Sequence, residues 1–302
     1  MKPYTLELPA DYRLQDVLAF HRRDAESIAE EVSAERLRKG VLLDGVPVVL
    51  DIALPPSAST GATARVSVHA DGSLSAAGRE QAREAVLNIL GLRIDPAPFS
   101  AFVKKDKLFG ALARKQPGLR IVQSASVFEA LTWAIIGQQI NLSFAISLRR
   151  TFILQAGRQH SSGLWCYPDA GGAAAQSEDD LTSRKFSRAK AETVLRLARL
   201  VASGQLSLDI TPANGIGQIS AALLAVKGIG PWTVNYGLLR GYGYADCSLH
   251  GDVAVRAALQ TLLGEDERPD IKRTEEILAR YSPHRTMAAA HLWASLHPRA
   301  EE

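Results

Sequence analysis

One carboxylate in the sequence lies where it could take part in a reaction. Asp252 ends the run Leu-His-Gly-Asp and directly precedes an apolar stretch with helical spacing. At the start of a helix a carboxylate commonly accepts hydrogen bonds from free backbone N–H groups, and this structural role explains Asp252 taken alone. A carboxylate that faces a cleft could instead stabilise an oxocarbenium-like sugar while a glycosidic bond breaks, or orient the attacking water. Asp252 is therefore the candidate catalytic residue.

Three aromatic side chains could form a stacking surface beside this carboxylate. Trp232 and Tyr236 are four residues apart in a predicted helix and so share a face, and Trp293 lies in the last predicted helix. Aromatic residues with helical spacing usually belong to a core. Their faces could alternatively stack on an extruded base, and would favour a purine made cationic by alkylation.

Residues 223–236 predict two helices joined by a tight turn. Gly228 and Gly230 permit a sharp reversal, Ile229 can pack between the helices, and Pro231 suits the first turn of the second helix. Free backbone N–H groups at a helix start favour an anion, so the turn could hold a DNA phosphate. An ordinary helix–turn–helix connection explains the glycines equally well. A second Gly-Ile-Gly, at residues 215–217, lacks this context and is interpreted as a loop.

Composition restricts the class of protein. The chain has 302 residues, 46% hydrophobic content and a net charge of +3, which predict a folded protein with a substantial core. Cys166 and Cys247 are too few for a disulfide framework or a four-thiolate cluster. We find no apolar run of about 18 residues and no signal peptide, and expect a cytoplasmic, nucleoid-associated protein.

Basic residues are concentrated in two segments, 100–120 and 181–200. Each segment holds six Lys or Arg residues against a single acidic residue. Such a pattern is typical of a solvated helix face or of a surface that contacts nucleic acid.

The elements that must position these residues fall into two parts, with a boundary at the Asp-Pro-Ala-Pro of residues 95–98. Before it, strand patterns alternate with helical ones; the strands are expected at Tyr4–Leu8, Val46–Ile52 and Ala64–Ala70, and the helices at Leu14–His21 and Ser75–Leu90. After it the strand signal nearly vanishes. A capping box begins a helix at Ser126, and residues 157–183 read as irregular. Further helices are expected at 142–155, 187–202, 216–226, 231–240, 252–263, 273–280 and 285–296.

The order of these motifs resembles the helix-hairpin-helix (hairpin-Gly-Pro-Asp) superfamily of DNA glycosylases, and within it the DNA-3-methyladenine glycosylase II, or alkylpurine, type. Besides 223–236 and Asp252, the resemblance rests on 134–140, 185–191 and 281–293. It implies an α+β fold, with a small antiparallel-sheet domain (1–98) followed by an all-α helix-hairpin-helix glycosylase body (99–302). In that body, 126–244 would form a hairpin-containing subdomain, and 99–125 with 245–302 a second helical one.

The resemblance also implies roles for individual residues. Asp252 matches the catalytic aspartate, and Trp232, Tyr236 and Trp293 match the base pocket. Positions that contact DNA match Lys227, Gly228, Ile229, Gly230, Gln139, Ser187 and Lys190. Backbone carbonyls that can hold a monovalent cation match those of Leu224, Val226 and Gly228, and no other cofactor is expected. Gln139 falls where the alkylpurine enzymes have an apolar wedge that fills the gap left by the flipped base, with Ile140 as the alternative.

Three departures from the family bear on the reaction. Trp232 stands where bifunctional relatives carry a lysine nucleophile, so strand cleavage through a Schiff base is not expected. Iron–sulfur relatives need four cysteines, which this chain lacks. His250-Gly251 replaces a proline-led approach to the aspartate, so the shape of that loop is left open.

The leading hypothesis is a monomeric, monofunctional glycosylase. It would flip an alkylated purine such as 3-methyladenine out of double-stranded DNA and hydrolyse its N-glycosidic bond. One alternative is a glycosylase for oxidised or deaminated bases, which would need hydrogen-bonding pocket residues that the sequence does not locate. Another is a non-catalytic helix-hairpin-helix DNA-binding protein, which an Asp252 buried away from any cleft would favour.

Overall fold

The computed structural model describes residues 1–57 and 60–296, and its first part is a five-stranded antiparallel sheet. The strands are β1 (Tyr4–Glu7), β2 (Glu30–Val32), β3 (Arg36–Leu43), β4 (Val46–Ala53) and β5 (Thr63–Ala70), in the order β1-β5-β4-β3-β2. Asp44 and Gly45 join β3 to β4, both with positive φ, as a two-residue hairpin turn requires. Helices α1 (Leu14–His21) and α2 (Ala76–Ile89) bury their apolar residues in the core of this sheet.

The rest of the described chain is mainly helical. Its helices are α3 (Ala97–Phe102), α4 (Phe109–Lys115), α5 (Val127–Gly137), α6 (Leu142–Ala156), α7 (Ala170–Ala174), α8 (Glu178–Thr182), α9 (Arg188–Ala202), α10 (Ile216–Leu224), α11 (Pro231–Gly237), α12 (Val253–Leu263), α13 (Ile271–Ala279) and α14 (Arg285–Ser295). A π-helical segment, Leu238–Tyr242, continues α11. Within residues 1–57 and 60–296, no helix combines the length and the apolar character needed to cross a membrane.

The predicted α+β fold class is confirmed, with local differences, among them helices α3 and α4, which were not predicted. The helix predicted for 231–240 changes to π geometry after Gly237. Residues 157–183 are not irregular throughout: β6 (Arg158–Gln159) pairs with β7 (Trp165–Cys166), and α7 and α8 follow. These elements are too short to show a period in the sequence. Strands β2 and β3 were not predicted, and in β3 a buried lysine breaks the apolar pattern.

Two hydrophobic cores lie side by side. One is formed by residues from Leu8 to Leu90 with Val122, and the other includes Ala29 and the buried apolar residues from Ile94 to Leu292. Ala29 and Val122 each belong to the core of the opposite part, so the sheet and the helical body are packed together rather than linked only by the chain.

A buried cluster of four charges joins the sheet to the helical body. Lys39 Nζ of β3 lies 2.5 Å from Glu30 Oε1 of β2 and 2.8 Å from Glu129 Oε1 of α5, and Arg149 of α6 pairs with both glutamates. Burial acts to raise the pKa of Glu30, but Arg149 and Lys39 outweigh it and hold that pKa well below its usual range. With two charges of each sign, the cluster is neutral as a whole, and each charge depends on the others to offset the cost of burial.

Candidate active site

Asp252 is the N-cap of α12 and also the centre of a polar cluster. Its Oδ1 accepts the backbone N–H of Val255 at 2.9 Å and the indole N–H of Trp293 at 3.1 Å. Its Oδ2 accepts the indole N–H of Trp232 at 2.9 Å. A carboxylate offers about four lone pairs. Oδ2, with one donor among the described residues, therefore keeps a free lone pair.

The charge of Asp252 is stabilised without a salt bridge. Three N–H donors and the positive end of the α12 dipole surround the carboxylate. In the part of the chain that the structure describes, no lysine, arginine or histidine forms an ion pair with it. Asp252 is buried, with 9% of the residue exposed. The carboxylate is thus held in a fixed orientation by neutral N–H donors, and no cationic side chain among the described residues pairs with it.

The three predicted pocket aromatics lie together beside Asp252. The Tyr236 ring centroid is 5.2 Å from that of Trp232 and 6.4 Å from that of Trp293. Tyr236 is buried, and its hydroxyl accepts the indole N–H of Trp133 at 3.0 Å. Trp232 and Trp293 also hold the Asp252 carboxylate in place through their indole N–H groups, a contact that the sequence spacing did not reveal.

The predicted hairpin connects α10 to α11. Gly228 has φ +97°, and a Cβ on it would lie 2.1 Å from Thr193 Oγ1 of α9, so glycine is required there for conformation and for space. Around Gly230, the N-cap of α11, a Cβ would meet no atom within 4 Å. Ile229 is buried, as expected for the residue that packs between the helices. The turn therefore has one glycine that packs against α9 and one that faces open space.

The turn between α5 and α6 is tied to the same surface. The Lys190 ammonium donates to the carbonyls of Ile136 and Gln138 at the end of α5, and burial lowers its pKa. Gln138 Nε2 in turn donates to Thr233 Oγ1 at 2.9 Å and to the Gly228 carbonyl at 3.3 Å. This network holds the α5–α6 turn against the hairpin. Gln138 was not among the predicted site residues, although it is adjacent to one that was.

The other residues predicted to contact DNA lie around this network. Gln139 is exposed with φ +57°, at the tip of the α5–α6 turn. Ser187 is exposed and caps α9, accepting the backbone N–H of Lys190. The side chain of Lys227 is exposed before the hairpin glycines, while its carbonyl accepts a hydrogen bond from Arg196. The predicted DNA-contact positions therefore occur in three connected segments.

Two of the three carbonyls predicted to hold a cation, those of Val226 and Gly228, accept hydrogen bonds from the protein. The Val226 carbonyl accepts the N–H of Ile229 at 3.0 Å, and the Gly228 carbonyl accepts the Gln138 amide. Each carbonyl retains a second lone pair. Among residues 1–57 and 60–296, no cluster of three His, Cys, Asp or Glu side chains suits a metal ion.

Arg240, in the π-helical segment, is a buried cation that the sequence analysis did not identify. Its guanidinium carbon lies 5.8 Å from the centroid of Tyr236 and 5.4 Å from that of Trp293. One guanidinium nitrogen donates to the carbonyl of Val122. The aromatic cluster is thus already in contact with one positive charge.

Comparisons with known proteins identify the family of this chain. Residues 132–284 match the family model described as HhH-GPD superfamily base excision DNA repair protein. The chain is 31% identical over 222 residues to a DNA-3-methyladenine glycosylase of Bacillus subtilis, covering 72% of this chain and 73% of the relative. A 3-methyladenine DNA-glycosylase from Archaeoglobus fulgidus has the same fold, with a TM-score of 0.78, 22% identity, and coverage of 96% and 97% of the two chains. An 8-oxoguanine glycosylase/lyase of Clostridium acetobutylicum, solved with double-stranded DNA, has a TM-score of 0.71 at 13% identity and covers 97% of each chain. This chain belongs to the HhH-GPD superfamily of base excision DNA repair proteins.

Proposed function

We propose that this protein is a monofunctional DNA glycosylase that hydrolyses the N-glycosidic bond of alkylated purines. The observation that carries the proposal is the geometry of Asp252. Its carboxylate is fixed by the two indoles and a backbone N–H, retains a free lone pair on Oδ2, and lies beside a buried tyrosine. A residue that served merely as a helix cap would need the Val255 contact alone.

The chemistry follows from where the negative charge lies. As the bond between C1′ and the base nitrogen lengthens, positive charge develops on the sugar, and the Asp252 carboxylate stabilises it. Water then adds at C1′ and releases a proton to solvent. Asp252 either orients this water or acts only through its negative charge on the sugar. A base that is already cationic leaves without a general acid, so the site needs no second titratable group.

Binding of damaged double-stranded DNA is proposed for the surface formed by the hairpin and the α5–α6 turn. The open space at Gly230 and the exposed side chain of Lys227 suit a backbone phosphate. Gln139, which is exposed at the tip of its turn, would fill the gap left by an extruded base, with Ile140 as the alternative. Lys190 is now better understood as a residue that positions this turn, because its ammonium is bound to carbonyls of α5.

The class of lesion is proposed from the relatives. The Bacillus subtilis and Archaeoglobus fulgidus proteins are named for 3-methyladenine, and 3-methyladenine is cationic in DNA. A monovalent cation at the free lone pairs of the Leu224, Val226 and Gly228 carbonyls would strengthen phosphate binding at the hairpin. A monomer acting on chromosomal DNA in the cytoplasm fits the same function.

The proposal is tested by excision assays on duplexes that each carry one defined lesion. Products are treated with and without hot alkali, which cleaves at abasic sites. We expect release of alkylated purines and strand breaks after alkali alone, because Trp232 occupies the position of the lysine nucleophile in bifunctional relatives. Breaks without alkali would contradict the monofunctional assignment. Preferential release of 8-oxoguanine would favour the alternative of an oxidised-base glycosylase.

A further inference from the structure

Gln139, at the tip of the α5–α6 turn, has a backbone conformation that a residue with a side chain rarely adopts. Its φ is +57°, in the left-handed region, where the Cβ and the backbone carbonyl crowd each other. The residue is exposed, and its side chain takes part in none of the hydrogen bonds among the described residues. The next residue, Ile140, is instead partly buried against the core of the helical body. Of the two, Gln139 is therefore the side chain that can enter DNA, and its neighbours must maintain its conformation.

Lys190 of α9 fixes the residues that precede Gln139. Its ammonium donates to the carbonyl of Ile136, at 2.7 Å, and to that of Gln138, and it lies 3.4 Å from the carbonyl of Ile135. An ammonium has three hydrogens, so this arrangement can use all of them. The carbonyls lie at the C-terminal end of α5, where the helix dipole also favours a cation. Because the Gln138 carbonyl belongs to the peptide group that leads into Gln139, that peptide group is held by a charge.

The Gln138 side chain connects the same turn to the hairpin. Its NH2 group has two hydrogens, and its contacts with Thr233 Oγ1, at 2.9 Å, and with the Gly228 carbonyl, at 3.3 Å, use both. Thr233 is buried and directly follows Trp232, whose indole N–H is bound to Asp252. One amide group therefore joins the α5–α6 turn, the hairpin and the helix that holds the carboxylate.

Resting on the function proposed above, we infer that Gln138 and Lys190 are positioning residues, which hold Gln139 in its left-handed conformation before DNA binds. The filling side chain is then in place when a base leaves the stack, and no binding energy is spent on forming the turn. Lys190 acts through the turn and not through a DNA phosphate. The contact with Gly228 keeps the filling side chain at a fixed position relative to the hairpin.

A dependence on base pairing follows from this role. Extrusion costs most for a base that is paired and least for one that is already unpaired. A filling side chain that is formed in advance should therefore matter most for a paired lesion. It should matter less for the same lesion opposite an abasic-site analogue.

The test measures excision and extrusion separately. Single-turnover excision uses one alkylated purine, placed opposite its normal partner or opposite an abasic-site analogue. Extrusion is followed in the Asp252→Asn background by the fluorescence of 2-aminopurine next to the lesion, which rises when stacking is lost. DNA affinity is measured over a series of salt concentrations. All variants are compared below their melting temperatures.

The variants are Gln138→Leu, Lys190→Met, Gln139→Gly and the double variant of the last two. Glycine adopts a positive φ without strain, so Gln139→Gly removes the side chain alone. Lys227→Met is the matched control for the loss of one ammonium, because the exposed Lys227 is proposed to bind a phosphate.

We expect Gln138→Leu and Lys190→Met to slow excision of the paired lesion about tenfold and of the unpaired lesion less than about threefold, with a smaller rise in fluorescence. Adding Lys190→Met to Gln139→Gly should cause no further loss, because the side chain that Lys190 positions is gone. The slope of log affinity against log salt should be unchanged in Lys190→Met and should fall by about 0.9 in Lys227→Met.

Equal losses for paired and unpaired lesions, additive losses in the double variant, or no loss in folded Gln138→Leu and Lys190→Met would each overturn the inference. An equal fall of the salt slope in Lys190→Met and Lys227→Met would also overturn it and assign Lys190 to DNA contact. If the unaltered protein excises no lesion, the proposed function itself fails. If it excises lesions and the variants extrude the base as it does, only the inference fails.

Discussion

Replacing Trp232 by phenylalanine isolates the hydrogen bond to Oδ2 of Asp252, the proposed catalytic carboxylate. The change retains an aromatic ring beside Tyr236 but removes the indole N–H that lies 2.9 Å from Asp252 Oδ2. Among the described residues, this is the donor that holds Oδ2. The matching change Trp293→Phe removes a donor from Oδ1, which keeps its bond to the Val255 N–H.

The expected loss of excision rate in each variant follows from the number of donors left on the affected oxygen. A hydrogen bond to a charged group contributes about 1.5–3 kcal/mol. If that energy orients the carboxylate in the transition state, its loss in Trp232→Phe slows excision about 10- to 100-fold. For Trp293→Phe, the remaining backbone donor limits the loss to roughly 1 kcal/mol, or about fivefold.

Single-turnover excision on a duplex with one alkylated purine measures these rates, and fluorescence anisotropy measures DNA affinity. Affinity should change little in either variant. Trp165→Phe is the matched control, since Trp165 lies in β7 outside the cluster. Equal rates for all three variants, or a larger loss in Trp293→Phe than in Trp232→Phe, would refute the assigned roles of the indoles.

Three further predictions concern the surrounding structure. Gly228→Ala should lower the melting temperature, because Gly228 has φ +97° and its new Cβ would lie 2.1 Å from Thr193 Oγ1. Gly230→Ala has open space around the new Cβ, so this variant should fold normally and bind DNA more weakly. Thermal unfolding measures the first effect and fluorescence anisotropy the second. Lys39→Met should reduce the free energy of unfolding by about 3–5 kcal/mol in urea titrations, since it leaves buried carboxylates undercompensated, while exposed Lys272→Met should be neutral. Burial lowers the pKa of His21 from 6.5 to about 4. The unfolded chain therefore takes up this proton first as pH falls, so stability should decline between pH 6.5 and about 4, and His21→Gln should make that decline shallower. A pH dependence identical to that of the unaltered protein would contradict the burial of a neutral His21.

The sequence was most informative where local rules and ordered motifs agreed. The hairpin glycines, Pro231 at the start of α11 and the apolar run after Asp252 each specify a short-range conformation, and the structure has all three. For Asp252 the sequence offered a structural cap or a catalytic group as alternatives. The structure shows that the two are compatible, because the capping bond engages Oδ1 and leaves Oδ2 with a free lone pair.

Contacts between segments far apart in the chain could not be predicted from the sequence. The spacing of Trp232 and Trp293 could not reveal that their indole N–H groups converge on one carboxylate. The basic segment 181–200 suggested that Lys190 was at the surface. Its ammonium instead donates hydrogen bonds to carbonyls at the end of α5. Val122 and Arg240 are joined by a hydrogen bond across 118 residues, which no sequence periodicity records.

The most direct test of the account is Asp252→Asn. Asparagine caps helices about as well as aspartate, so α12 and the fold should be preserved while the negative charge is removed. We expect single-turnover excision of an alkylated purine to fall about 100- to 1,000-fold or more, with DNA affinity close to that of the unaltered protein. The melting temperature should be slightly lower, because Asn Nδ2 cannot accept the Trp232 N–H. Retention of most of the excision rate would show that Asp252 is a helix cap alone and would contradict its catalytic role.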